Sequence, residues 1–110
     1  MKKIAILTCL DATKVCSGAA CFRAFNNRDA AFENCPLDTE LIAFFHCNGC
    51  KCDYEHDTEY IEKIETLHKL GIDELYIGKC TKIKGVECAI IQKIILQLSS
   101  ATMIVTKGTH

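Results

Sequence analysis

Cys47-Asn48-Gly49-Cys50 sets two thiols at C-x-x-C spacing, and Cys52 adds a third sulfur within the same six residues. A tight turn at that spacing brings two thiolates to one side, where they reach one metal ion or form a dithiol redox couple. Gly49 supplies the backbone freedom such a turn needs, and Asn48 tolerates a left-handed conformation better than most residues. Free cysteine also packs as a small hydrophobe, but three of them crowded into one polar loop are a poor use of that property.

The other cysteines repeat the theme. Cys16-Ser17-Gly18-Ala19-Ala20-Cys21 is a C-x4-C at the opening of a predicted helix, where the macrodipole favours the thiolate. Cys80 and Cys88 flank a loop with Lys79, Lys82 and Lys84, whose charge lowers a nearby thiol's pKa or balances a thiolate cluster. A solvated lysine loop is the plain alternative. Cys9 ends a predicted strand, where packing alone would account for a single cysteine.

Nine cysteines in 110 residues is an odd number, so disulfides alone cannot pair them all. Met1-Lys2-Lys3 leads into Ile4-Ala5-Ile6-Leu7, an apolar run too short for a secretory signal and followed by Asp11 and Lys14. A cytoplasmic location is therefore expected, and there reduced cysteines read as metal ligands or reactive thiols before they read as staples.

The remaining composition is that of an ordinary globular chain, expected to form a single domain over 1–110. Net charge is −1 with no long run of one sign, which gives no footing for nucleic acid or an anionic membrane surface. The longest apolar stretches fall well short of the ~20 residues of a spanning helix. No Gly-rich phosphate loop and no nucleophile elbow is present. Glu55, Asp57 and Glu59 read as a helix-start charge cluster, favoured by the dipole.

Four apolar runs, Ile4–Leu7, Leu41–Phe45, Leu75–Ile77 and Met103–Val105, are continuous rather than alternating, as in strands buried on both faces. Helical spacing links them. The first helix is marked by Cys21, Ala24, Phe25, Arg28 and Phe32. The second is marked by Tyr60, Ile61, Ile64, Leu67 and Leu70, entered at Asp57-Thr58 and stopped by Gly71. The third is marked by Val86, Ile90, Ile91, Ile94, Ile95 and Leu98. The order β-α-β-α-β-α-β predicts an α/β fold with a parallel sheet of about four strands and helices on both faces, a flavodoxin-like or Rossmann-like three-layer arrangement.

Such sheets bind ligands outside the carboxyl ends of their strands. That edge is where the order places Cys9, Cys16, Cys21, Cys47, Cys50, Cys52, Cys80, Cys88 and, past the last strand, His110. Cys35, before Pro36, belongs to the opposite edge. His46 is a neighbour of Cys47 on a strand, so the two side chains face opposite ways. His56 reads as solvated, and His68 as a structural residue of the second helix.

Taken in order, the strand ending in Cys9, Cys16-Ser17-Gly18-x-x-Cys21-Phe22, Cys47-Asn48-Gly49-Cys50, Cys80-x-x-x-x-Gly85-x-x-Cys88 and Gly108-Thr109-His110 resemble the CGGC domain family nearly end to end. The resemblance implies a small metal-binding protein, zinc before other metals, and brings no reaction with it. Carried over residue by residue, it implies a ligand set drawn from Cys9, Cys16, Cys21, Cys47, Cys50, Cys80, Cys88 and His110. Two departures stand out: Asn48 replaces a glycine of the signature, and Lys51-Cys52-Asp53 replaces a Pro-Gly type of turn.

The expectation is a thiolate metal site at the carboxyl edge of the sheet. Eight candidate ligands exceed the four of one zinc, so a second site or an iron–sulfur cluster stays open, as does a thiol-dependent redox enzyme using the same cysteines. No feature identifies a protein partner, although a free edge strand is able to pair with a second copy in a homodimer.

Overall fold

The computed structural model describes residues 2–83, 86–99 and 102–109. From the amino end the elements are β1 (Lys3–Thr8), α1 (Ala19–Asn27), β2 (Glu40–His46), α2 (Thr58–Leu70) and β3 (Glu74–Ile77). They continue with β4 (Lys82–Ile83), β5 (Val86–Glu87), α3 (Ala89–Leu98) and β6 (Ile104–Lys107). Four strands form one sheet in the order β2-β1-β3-β6, every neighbouring pair parallel. The order 2-1-3 is that of flavodoxin-like doubly wound sheets.

β1 lies between β2 and β3 and explains the three layers. Ile4 and Ile6 pack with Ala24 and Phe32 on the α1 face, whereas Ala5 and Leu7 pack with Ile64 and Leu67 of α2 and Ile91 and Ile94 of α3. All four strand residues are 0% exposed. Each large aliphatic so buried contributes about 1.5–3 kcal/mol of transfer free energy, so an unbroken apolar run was required here.

α2 starts and stops at the expected residues. The Asp57 carboxylate accepts the Tyr60 N–H at 2.9 Å, and Gly71 ends the helix at φ 73°. His68 ties α2 to α3 through a 2.9 Å bond between Nε2 and the Gln97 carbonyl, which is the structural role expected of it.

Two helix boundaries depart from expectation. α1 ends at Asn27 rather than running to Phe32, because Arg28 turns left-handed at φ 54° and Ala30 follows at φ 50°. The Arg28 guanidinium then bonds the carbonyls of Phe25, Pro36 and Leu37 and holds the turn. Phe32 returns to the core from a 3-10 turn and meets Phe25 edge to face, 5.5 Å between centroids, so the seven-residue spacing imitated a helical stripe. Likewise Val86 belongs not to α3 but to β5, which pairs antiparallel with β4, and the helix begins only at Ala89. The last strand is Ile104–Lys107, slightly beyond Met103–Val105.

Candidate functional site

A doubly wound sheet has its crevice where the chain reverses direction across the sheet, here between the carboxyl ends of β1 and β3. The Gly78 N–H bonds the Leu7 carbonyl at 2.9 Å and closes the two strand ends together. Above them is a cavity of about 10 Å³, the size of one water or ion, lined by Thr8, Cys9, Cys16, Phe44 and Cys80 among others. Three sulfurs from two different loops thus border one small space.

Each reaches it by a separate local device. Cys9 follows the last residue of β1 directly. Cys16 leaves a 3-10 turn over Asp11–Lys14, and its sulfur accepts the Gly18 N–H at 3.4 Å. Gly18, at φ 83°, turns the chain into α1; a Cβ there would stand 2.8 Å from the Phe44 ring. Cys80 sits in a 3-10 turn after β3, fixed by the Thr81 hydroxyl donating to the Gly78 carbonyl at 2.8 Å.

The Cys47–Cys50 loop is held from below. Cys47 is 5% exposed, and its sulfur accepts the Leu10 N–H at 3.3 Å. Tyr54 clamps the turn: its hydroxyl donates to the Gly49 carbonyl at 2.6 Å and accepts the Asn48 N–H at 3.1 Å. Lys63, from α2, donates to the His46 carbonyl at 2.6 Å and to Asn48 Oδ1 at 2.5 Å. Asn48 therefore serves as an anchor for the loop, a use that a glycine at that position could not offer.

Electrostatics separate the thiols. Desolvation, then Asp11 and the sulfurs of Cys88, Cys47 and Cys9, hold the exposed Cys50 thiol above its ordinary value. Burial, followed by Asp57 and Asp53, does the same for Cys52. Burial pulls the Lys63 ammonium down, against the Cys47 and Cys52 sulfurs. Burial also raises the Tyr54 hydroxyl, and raises that of Tyr60 to about 12. Sulfurs this close resist sharing negative charge without a cation among them.

The other predicted residues are placed as follows. Cys21 lies in the first turn of α1, buried, with its sulfur 3.1 Å from the Thr109 hydroxyl. Cys88 is the N-cap residue of α3 and half-buried. His110 and Gly85 lie outside the described residues, as does Lys84. Cys35 is at the opposite edge, 3.1 Å from the Tyr76 hydroxyl. His56 is exposed and pairs with Asp53 at 3.0 Å.

Sequence reasoning missed Lys63 and Tyr54. The available signal was a lysine three residues after Tyr60 and four before Leu67, on the buried stripe of α2. It also undervalued His46. Its Nδ1 is buried without a hydrogen-bond partner, and burial followed by Lys63 lowers its pKa and keeps the ring neutral. Alternation puts His46 on the same face of β2 as Phe44, whose ring borders the small cavity.

Among the described residues no three His, Cys, Asp or Glu side chains already converge on one point as a metal group. The donor chemistry nevertheless fits a thiophilic cation: soft sulfurs gathered at one edge, an ion-sized cavity, and an orphaned imidazole nitrogen. No helix among the described residues is long and apolar enough to cross a membrane.

Fold and site together define a three-layer α/β protein with a cysteine-rich carboxyl edge, of a kind suited to metal binding. The chain belongs to the CGGC domain family, whose profile matches residues 3–110. It is also similar to the "Uncharacterized protein MJ0582" of Methanocaldococcus jannaschii, 30% identical over 95 residues that cover 81% of this chain and 69% of that protein. No solved structure matches.

Proposed function

We propose that the protein binds zinc through cysteine thiolates at the carboxyl edge of its sheet. The observation that carries this reading is the ion-sized cavity at the β1–β3 crevice with Cys9, Cys16 and Cys80 around it. Cys50 adds a further sulfur within electrostatic reach of Cys9, Cys47 and Cys88. On this reading the thiols turn inward to close on the cation, and four sulfurs or nitrogens satisfy a tetrahedral zinc. His110 and Cys21 complete the pool of ligands. A bound cation would supply the charge that lets clustered thiols ionise, and the Leu10 N–H already bonds the Cys47 sulfur.

One observation favours a second reading, a dithiol couple: in Cys47–Cys50 one thiol is buried and its partner exposed, as attack and resolution require. Against it, the exposed member has its pKa raised rather than lowered, which leaves it protonated at neutral pH.

The deciding measurement is zinc, iron and acid-labile sulfide per chain on anaerobically purified protein, with the absorption spectrum. Stoichiometric zinc without visible bands is expected. Iron with sulfide and charge-transfer bands would replace zinc by a cluster, and titratable thiols without metal would promote the dithiol reading.

A further inference from the structure

We propose that the protein associates with a second copy of itself along the β2 edge of its sheet, strand beside strand and helix beside helix across a two-fold axis. β2 and β6 are the two edge strands, and they are finished differently. β6 ends on Lys107, a charge of the kind that keeps an edge from pairing. β2 runs through five apolar residues, 41–45, with no charge or proline among them, and four of the five are only half-buried.

Beside that edge a groove of about 520 Å³ lies between β2 and α2. Ala43 and Phe45 stand on its strand side, and Glu59, Glu62, Thr66 and Leu70 on its helix side. Leu70 is 40% exposed. The polar groups deeper in the groove are already used within the chain: the Thr66 hydroxyl donates to the Glu62 carbonyl, and Lys63 holds the His46 carbonyl and the Asn48 side chain. What the groove offers is therefore apolar surface with charge at its rim, which suits a protein face better than a small polar ligand.

The order of charge along α2 selects a second copy as that face. Glu62, Thr66 and Lys69 recur at helical spacing, share one side of the helix and are all exposed. An antiparallel copy of α2 centred on Thr66 brings Glu62 of each chain towards Lys69 of the other, so the stripe is complementary to itself. A patch that meets itself requires a two-fold axis, and the same axis sets the two β2 strands antiparallel. The register shift between Ile4 and Ala5 leaves Ile42 as an extra residue of β2, and Lys63 closes the His46 carbonyl. Strand pairing is thereby confined to the middle of β2, and the groove supplies the rest of the contact. The interface needs no metal, so it stands whatever the cysteines bind.

Sedimentation equilibrium of the full-length chain under reductant, which excludes intermolecular disulfides, tests this. A reversible monomer–dimer equilibrium is expected. Thr66→Lys sets like charges against each other across the axis and should weaken the dimer at least about tenfold. Glu62→Lys and Lys69→Glu should each weaken it, and the two together should restore it, because the opposed charges are then exchanged rather than lost. All three positions are exposed, so circular dichroism should show the fold retained. Ile104→Lys, on the β6 edge, should change nothing. A chain that stays monomeric at every concentration would overturn the proposal. So would a dimer that Ile104→Lys breaks, that Thr66→Lys leaves intact, or that the double exchange fails to restore.

Discussion

The two edges of the sheet are built on opposite principles. At the amino edge Glu74, 7% exposed, takes an ion pair from Lys2 and a hydrogen bond from the Thr106 hydroxyl, and Tyr76 shares a hydrogen bond with Cys35. Charge there is matched by charge, and each polar group named has a partner within the chain. At the carboxyl edge the side chains gathered from three loops are sulfurs, which repel one another once ionised, and the cations nearby are lysines. A cysteine thus has two uses in one molecule: at one edge it completes a local network, and at the other it contributes to a collection that makes chemical sense with something bound.

Substitutions break that comparison most severely at the thiols. Cys80→Ser and Cys47→Ser are each expected to lower bound zinc from near stoichiometric to a small fraction, together with a marked drop in thermal midpoint, because site occupancy is coupled to folding. Cys35→Ser should leave metal content unchanged and cost under about 1 kcal/mol, since a hydroxyl can also bond Tyr76. Equal metal loss in all three variants would erase the distinction between the edges.

The next effect concerns the loop that delivers Cys16. Gly18→Ala should destabilise the fold by about 1–3 kcal/mol, through its left-handed backbone and its clash with Phe44. Chemical denaturation measures this, and a change within error would mean that the loop relaxes freely.

At the amino edge the sensitivity is to acid. Burial works to raise the Glu74 carboxyl, but the bonds from Lys2 and Thr106 outweigh it and hold the group below its ordinary value of 4.5. A group with a depressed folded pKa stabilises above its unfolded value and loses that contribution as pH falls through the folded one. Glu74→Gln should therefore cost about 1–2 kcal/mol at pH 7 and progressively less below about pH 4.5, seen as converging urea midpoints. A difference that does not vary with pH would show that the ion pair contributes nothing through its charge.

A smaller effect than these is expected at Tyr54. Tyr54→Phe removes the clamp on Asn48 and Gly49 and should cost about 1 kcal/mol, with faster hydrogen exchange at the Asn48 amide. Unchanged exchange would mean that Lys63 alone holds the loop.

Much of this design could be read in the sequence wherever a local rule governs it. β1 declared itself because a strand between two helical layers admits only apolar residues, and α2 because Asp57 and Gly71 are local caps. The grouping of thiols followed from the single rule that loops after parallel strands share an edge. Failures arose where a distant group decides the outcome. Phe32 is spaced like a helix residue, yet the guanidinium of Arg28 bonds carbonyls up to nine residues away and breaks the helix. Lys63 reaches the Asn48 side chain from 15 residues away, across a packing angle that only the folded chain sets. Gly18 looks like an ordinary turn residue until Phe44 is seen beside it.

Placing β1 between β2 and β3 also sets a timetable. Cys9 and Cys16 are made close together, but Cys80 follows β3, which begins at Glu74, so the third sulfur of the cavity arrives some seventy residues after Cys9. Contacts between segments so distant in sequence form late and slowly. Until then the thiols are carried on an open, fluctuating chain, free to oxidise or to pair wrongly. Refolding yield should accordingly depend more steeply on the reductant present during the first moments of folding than the finished protein depends on it afterwards.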